Sequence, residues 1–199
     1  MSNSFNFKVV VIGAEANGKT ALIGCQCGKK FPEKGYVASA NMVVSTTTIK
    51  LPTRDATVKL EIFDIPGSSS MMVLNRMYLR DTNAALICYD VTKPDSLQNA
   101  EKWVNEVKEY GPSEIVLACC GTNMDAPGIH AITQNDGSSF ARKHGLGIWM
   151  ECSSKTKERV ANLFTDIAMQ CFLMKDKFVS FSFVRNMDQP ERRSTIRLE

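Results

Sequence analysis

Residues Gly13–Thr20 read GAEANGKT and fit the pattern G-x-x-x-x-G-K-[ST] of a phosphate-binding loop. The glycines that bracket this pattern let the backbone wrap closely around phosphates, so that its N–H groups point at the anion. Lys19 supplies a positive charge for the β- and γ-phosphates, and the Thr20 hydroxyl is a ligand for Mg²⁺. The pattern predicts that phosphates lie against residues 14 to 21, which are Ala14, Glu15, Ala16, Asn17, Gly18, Lys19, Thr20 and Ala21.

The loop is flanked by the elements that such a site needs. Phe7–Ile12 is mostly apolar and typical of a buried strand, and Thr20–Gly24 can form the start of a helix. Bound phosphates would then lie at a helix N-terminus, where unpaired N–H groups and the helix dipole favour an anion. The order of strand, loop and helix favours a functional phosphate loop over a chance match.

The composition is that of one globular domain. The chain has 199 residues, of which 44% are hydrophobic and 23% are charged, which suits a single core followed by a tail. A net charge of +3 is too small to indicate nucleic acid as a partner. No apolar run approaches the roughly 18 residues of a membrane helix, and residues 1–6 lack the basic region and apolar core of a secretory signal. We therefore expect a cytoplasmic protein that does not bind nucleic acid.

The seven cysteines show no C-x-x-C spacing, and only two histidines accompany them, which argues against a zinc site. Most of the cysteines lie in apolar runs, so we interpret them as small core residues in a reducing compartment. A redox role for Cys25 or Cys27 is the alternative.

Predicted strands and helices alternate along the chain, which indicates an α/β fold with a largely parallel sheet. The predicted strands are Phe7–Ile12, Val43–Leu51, Val58–Asp64, Ala84–Val91, Ile115–Gly121 and Gly147–Glu151. The predicted helices are Lys19–Lys29, Ser69–Arg80, Pro94–Tyr110, Thr133–His144 and Lys157–Lys175.

Leu51–Ala56 is typical of a hairpin turn and gives the sheet one antiparallel edge strand. The predicted fold is a P-loop domain with a six-stranded, mostly parallel sheet and helices on both faces. We assign residues 1–177 to this domain and residues 178–199 to a C-terminal tail. Within the tail Phe178–Val184 alternates like a strand. It is interpreted either as a strap over an apolar groove of its own domain or as a segment that binds a partner or connects to a second domain.

Further segments follow the phosphate loop at spacings that a nucleotide-binding domain needs. They are Asp64–Gly67, which fits D-x-x-G, then Tyr89–Thr92, Thr122–Asp125 and Glu151–Lys155. Phe31 lies 12 residues after Lys19. In this order the chain from about Phe7 to Lys175 resembles a Ras-superfamily small GTPase, and it is most similar to the Rab branch.

The resemblance implies a metal and phosphate site. Asp64 would hold Mg²⁺ through a water, and the N–H of Gly67 would contact the γ-phosphate. The family places a hydroxyl ligand for Mg²⁺ in its first switch. Counted from Lys19, that position falls at Ala38 or, with one inserted residue, at Ser39. The resemblance therefore implies the metal set Thr20, Ser39 and Asp64 and the catalytic set Lys19, Gly67 and Ser68.

Asp125 is the implied reader of guanine. A carboxylate can accept two hydrogen bonds from the guanine N1–H and N2–H₂ groups, whereas adenine lacks this donor pair. The other residues implied to contact the base or ribose are Phe31, Thr122, Asn123, Ser153, Ser154 and Lys155. The ligands are therefore expected to be GTP and GDP, with Mg²⁺.

The chain also departs from the family pattern. Ser68 stands where the family has a glutamine that orients the attacking water, so we expect slow hydrolysis. Thr122 and Asn123 stand where asparagine and lysine are common, which predicts weaker binding without loss of guanine preference. Glu15 and Ala16 replace small or glycine residues, and we expect the Glu15 side chain to face solvent.

The resemblance implies a molecular switch in vesicle traffic. Two switch loops, about Lys34–Val44 and Pro66–Tyr78, would bind effectors, exchange factors and activating proteins. A pseudo-GTPase that holds GTP or GDP without efficient turnover is the main alternative. An ATPase or nucleotide kinase is a third interpretation, which leaves the segments Thr122–Asp125 and Glu151–Lys155 unexplained.

Membrane association stays open. Rab proteins usually end in lipid-bearing cysteines, and this chain ends without them. Leu198 and Glu199 resemble the remnant of a cloning site, which would place the natural C-terminus beyond this sequence. A location at the periphery of endomembranes is therefore an alternative to a purely cytoplasmic one.

Overall fold

The computed structural model describes residues 3–32, 41–52, 54–68, 72–128 and 130–187. Its strands are β1 Asn3–Ile12, β2 Val43–Lys50, β3 Ala56–Asp64, β4 Ala84–Asp90, β5 Val116–Thr122 and β6 Ile148–Glu151. Its helices are α1 Lys19–Gln26, α2 Met72–Leu79, α3 Ser96–Tyr110, α4 Gln134–His144 and α5 Val160–Met187. Strands and helices alternate after β3, as the sequence predicts.

The strands form one six-stranded sheet in the order β2-β3-β1-β4-β5-β6. Among the described strands only the edge strand β2 runs antiparallel, and it pairs with β3, while the neighbouring pairs from β3 to β6 are parallel. This architecture confirms the predicted fold class. Because the parallel strands point the same way, their carboxyl ends share one edge of the sheet, and ligands of open α/β sheets bind at that edge.

The core lies on both faces of the sheet. Side chains alternate along β1, so that Val9 and Val11 pack on one face with α1 and α5, whereas Val10 and Ile12 pack on the other with α3 and α4. Every residue of β4 is buried, as expected for a central parallel strand that is covered on both faces. This packing fixes the end of β1, where the phosphate loop begins, and the adjacent end of β4.

The C-terminal segment differs from the prediction. Phe178–Val184 was expected to alternate like a strand, but the backbone of α5 continues through it to Met187, so that prediction is wrong. Extending an existing helix adds a hydrogen bond for each residue fixed and avoids a new nucleus, which outweighs a weak local preference for strand. The division of the chain at residue 177 stays a prediction.

Strand β1 begins four residues earlier than predicted, since Asn3–Val11 pairs with β3 along nearly its whole length. No helix in the described ranges is both long and apolar enough to cross a membrane.

Two helical glycines provide a test of the packing. A Cβ at Gly137 of α4 would lie 2.1 Å from Tyr89 Oη and 2.7 Å from Trp149 Nε1, which are hydrogen-bonded to each other at 2.9 Å. Among the described residues, a Cβ at Gly24 of α1 would meet only the Lys29 side chain, at 3.7 Å. Gly137→Ala should therefore lower the free energy of unfolding by about 1–3 kcal/mol, as overpacking does.

Gly24→Ala is the matched control and should raise the free energy of unfolding by about 0.4–1 kcal/mol, because alanine restricts the unfolded chain. Urea denaturation measures both variants. Equal stability of the Gly137→Ala variant and the wild type would contradict the packing described.

Candidate nucleotide site

The phosphate loop connects β1 to α1 and has an unusual backbone. Ala16 and Gly18 have φ angles of 56° and 71°, in the left-handed region. For a residue other than glycine this region costs roughly 1–2 kcal/mol, so the surroundings must hold Ala16 there. Gly13 lies so close to β4 that a Cβ would stand 2.3 Å from the Cys88 carbonyl oxygen. Such loops present consecutive N–H groups to an anion.

Lys19 lies across this loop. Its ammonium donates hydrogen bonds to the carbonyl oxygens of Gly13 at 3.0 Å and Ala14 at 2.9 Å, and the residue is only 6% exposed. Burial lowers the pKa of Lys19 below its ordinary value, although the nearby Asp64 and Glu15 carboxylates oppose this shift. Glu15 itself is exposed, as expected. A buried cation beside a loop of N–H groups is suited to binding phosphate.

Thr20 and Asp64 form the second part of the site. The Thr20 hydroxyl donates to Asp64 Oδ2 at 2.6 Å. The other carboxylate oxygen, Oδ1, is buried and has no hydrogen-bond partner among the described residues. Burial raises the pKa of Asp64, and the bond from Thr20 and the charge of Lys19 only partly offset it. A hydroxyl and a poorly compensated carboxylate are hard oxygen donors that fit Mg²⁺.

Gly67 joins the end of β3 to the phosphate loop. A Cβ on Gly67 would lie 2.4 Å from the Gly13 carbonyl oxygen and 2.6 Å from the Glu15 nitrogen, so only glycine fits this approach. Ser68 follows and is half-buried. The structure thus brings Gly67 to the loop as the D-x-x-G segment predicts, while a part for Ser68 in hydrolysis stays a prediction.

Thr122, at the end of β5, is buried against the phosphate loop. Its hydroxyl lies 3.0 Å from the Asn17 carbonyl oxygen and 2.9 Å from the Tyr89 carbonyl oxygen. The side chain therefore holds the loop against β4, which is a role that the sequence analysis did not foresee. Contact of Thr122 with a base or ribose stays a prediction.

Asp125 is tied to the loop that follows β6. Ser153, which is fully buried, donates from Oγ to Asp125 Oδ1 at 2.5 Å and accepts from the Thr156 N–H at 3.0 Å. Asp125 itself is exposed. The predicted carboxylate is thus held in a fixed orientation with access to a ligand. Ser154 is half-buried and Lys155 is exposed in the same loop.

A carboxylate that the sequence analysis missed lies between these segments. Asp90 Oδ1 accepts from the Thr92 N–H at 3.0 Å and the Thr92 hydroxyl at 2.7 Å, and Oδ2 lies 3.3 Å from Lys93 Nζ. Burial alone would raise the pKa of Asp90, but hydrogen bonds from Thr92 and Asn123 and the charge of Lys93 lower it. The sequence carries one signal for Asp90, because it is an acidic residue at the carboxyl end of a buried central strand.

Ser39 and Phe31 are two further residues that the sequence analysis assigned to the site. Ser39 lies outside the described residues, so its part in binding Mg²⁺ stays a prediction. Phe31 lies beyond the end of α1 and is 43% exposed, which leaves its ring accessible.

Asn123, in contrast, lies at the site. Its backbone is left-handed, with φ 62°, and its Oδ1 would be 3.6 Å from a Cβ atom built on Gly18.

The phosphate loop and its setting at the edge of a mixed sheet place the chain among the P-loop α/β proteins. The Ras family model matches residues 8–173, which is most of the chain. The chain therefore belongs to the Ras family.

Similar proteins carry Rab names. The chain is 33% identical over 165 residues to the Ras-related protein Rab-5A of Dictyostelium discoideum, with 82% of this chain and 80% of the relative covered. It is 32% identical over 169 residues to the Ras-related protein RABF2b of Arabidopsis thaliana, with 84% and 82% covered. It is 34% identical over 167 residues to the GTP-binding protein ypt5 of Schizosaccharomyces pombe, with 83% and 77% covered. The likeness to Rab proteins confirms the resemblance.

The contacts of Thr122 lead to a prediction. Thr122→Val keeps the shape of the side chain but leaves the Asn17 and Tyr89 carbonyl oxygens without the hydroxyl. We expect the free energy of unfolding to fall by about 1–3 kcal/mol, the usual cost of unsatisfied buried polar groups. Urea denaturation of the nucleotide-free protein measures the change.

Thr122→Ser retains the hydroxyl and loses one methyl group, so its free energy of unfolding should fall by about 1 kcal/mol. If the valine variant proves as stable as the wild type, the hydroxyl does not hold the loop.

Proposed function

We propose that the protein is a Rab-like GTP-binding switch that hydrolyses GTP slowly. The observation that supports this most is the convergence of three groups at one edge of the sheet. They are the Lys19 ammonium on the loop carbonyls, the Thr20–Asp64 pair, and the Asp125 carboxylate held by Ser153. The first suits phosphate, the second suits a divalent cation, and the third suits guanine.

The phosphate end of the site neutralises charge. Lys19 faces the β- and γ-phosphates, and the N–H groups of the loop and of Gly67 donate to phosphate oxygens. Thr20 would hold Mg²⁺ directly and Asp64 would hold it through a water. The bound ion supplies charge that stabilises the transferring phosphoryl group. Asp64 Oδ1 has no hydrogen-bond partner in the described part of the chain, which supports this assignment, because a buried carboxylate oxygen needs a cation or a donor.

The base end of the site discriminates. Asp125 accepts two hydrogen bonds from guanine, and each charge-assisted bond is worth about 1.5–3 kcal/mol. Adenine would leave the carboxylate facing a base that has no matching donor pair. The bond from Ser153 fixes the carboxylate before the base arrives, which lowers the entropy lost on binding.

The output of the switch would be regulated contact with other proteins. The segments 34–44 and 66–78 would rearrange around the γ-phosphate and relax after its loss. They would contact effectors, exchange factors and activating proteins, and the Rab names of the relatives indicate a role in vesicle traffic.

Ser68 makes a pseudo-GTPase the second candidate function. It follows Gly67, where a longer amide side chain would position the attacking water, and a serine side chain is too short to do so. A protein that binds GTP and GDP equally and never hydrolyses GTP would fit the same geometry. Turnover of bound GTP separates the two functions.

Ser68→Gln should accelerate single-turnover hydrolysis of preloaded GTP by about tenfold or more, because an amide that orients water is restored. Chromatography of the bound nucleotide with time measures conversion to GDP. Ser68→Asn has the same amide on a shorter side chain and should give a smaller gain. Stable GTP in both the wild type and the glutamine variant would instead support the pseudo-GTPase.

Asp125→Asn should change base preference from guanine toward xanthine, because the amide donates where the carboxylate accepted. Competition between GDP and xanthosine diphosphate for the purified variant measures the preference. Asp125→Ala is the control and should weaken GDP binding without improving xanthosine diphosphate binding. Guanine selectivity that survives the asparagine substitution would show that another residue reads the base.

A further inference from the structure

Lys93 contacts the phosphate loop from the segment between β4 and α3. Its ammonium donates to the Ala16 carbonyl oxygen at 2.9 Å and lies 3.4 Å from Asn17 Oδ1. It also pairs with Asp90 Oδ2 at 3.3 Å. The Lys93 side chain is 45% exposed, whereas the Asp90 side chain is only 4% exposed. A single cation thus joins two adjacent residues of the loop to a buried carboxylate.

The anchor of Lys93 is rigid. Asp90 is hydrogen-bonded by Thr92 through both its N–H and its hydroxyl. The Asp90 N–H donates to Ser96 Oγ at 2.7 Å, and the same Ser96 oxygen accepts from Asn17 Nδ2 at 3.2 Å. The carboxylate therefore stays in place on the central strand and fixes where the Lys93 ammonium lies.

The bond to Ala16 controls the direction of the next N–H group. Within one trans peptide the C=O and N–H groups point in opposite directions. When Lys93 draws the Ala16 carbonyl outward, the N–H of Asn17 must point the other way. Thr122 acts in the same manner one residue later, because its hydroxyl lies 3.0 Å from the Asn17 carbonyl and so orients the N–H of Gly18.

The backbone conformation of Ala16 makes the hydrogen bond from Lys93 important. Its φ of 56° is unfavourable for alanine, and the loop would relax if nothing held the carbonyl. Relaxation would turn a carbonyl dipole toward the phosphates and repel them.

We propose that Lys93 is a positioning residue for nucleotide binding, which holds the strained peptide after Ala16 so that the loop N–H groups face the phosphates. This inference rests on the proposed nucleotide binding. The cation that stabilises the loop then comes from the segment after β4. At position 123, where lysine is common in the family, this chain has asparagine.

The test compares release of fluorescently labelled GDP from the wild type and from Lys93→Met. Loss of one charge-assisted bond should raise the release rate about tenfold. Lys93→Arg retains a donor cation and should restore most of the affinity. Lys102→Met removes an exposed lysine on α3, with the same change in net charge, and should leave release unchanged.

A second comparison separates positioning from general stability. Ala16→Gly removes the conformational strain, so Lys93→Met in that background should raise release by no more than about threefold. Because Lys93 also pairs with the buried Asp90 carboxylate, Lys93→Met should lower the thermal midpoint of the nucleotide-free protein by a similar amount in both backgrounds.

Three results would overturn the inference. These are wild-type release from Lys93→Met, an equal increase in release with and without the Ala16→Gly substitution, or release from Lys93→Arg as fast as from Lys93→Met. In these cases a wild type that binds GDP tightly leaves the proposed function intact. A wild type that binds neither GDP nor GTP would overturn both.

Discussion

The candidate site depends on side-chain donors that hold the carbonyl oxygens of the phosphate loop. A short loop that exposes donors on one side must satisfy its carbonyls on the other, since buried unpaired groups are costly. Here Lys19 takes the Gly13 and Ala14 carbonyls, Lys93 takes that of Ala16, and Thr122 contacts that of Asn17. Each donor comes from a different element. These donors thus hold the loop, and Ala16 can keep its left-handed backbone conformation although it is not a glycine.

The sheet makes this arrangement possible. β4 lies beside both β1 and β5, so the residues that follow β4 and β5 meet the loop that follows β1 although they are more than 70 positions away in sequence. Asp64 reaches Thr20 because β3 is the other neighbour of β1. A parallel sheet with a central β1 therefore gathers groups for phosphate, metal and base at one edge.

Sequence patterns predicted much of this arrangement and missed a definable remainder. The phosphate loop and the mostly parallel sheet with one antiparallel edge strand were expected from local motifs and from the alternation of predicted elements. That Thr20 and Asp64 lie close together agrees with the site that the family resemblance implied. The helical course of residues 178–184 did not follow, because alternation of phenylalanine and serine carries no information about the helix that precedes it. Lys93 and the loop contact of Thr122 were missed for a related reason. Hydrogen bonds to backbone carbonyls leave no side-chain pattern, and only the packed sheet shows which carbonyls are near.

We propose that this site selects guanine nucleotides through Asp125 and a supported phosphate loop. The most direct measurement equilibrates nucleotide-free protein with equal concentrations of GDP and ADP in the presence of Mg²⁺, followed by chromatography of what remains bound. We expect close to one GDP for each protein and almost no ADP. Equal amounts of the two nucleotides, or none of either, would contradict it.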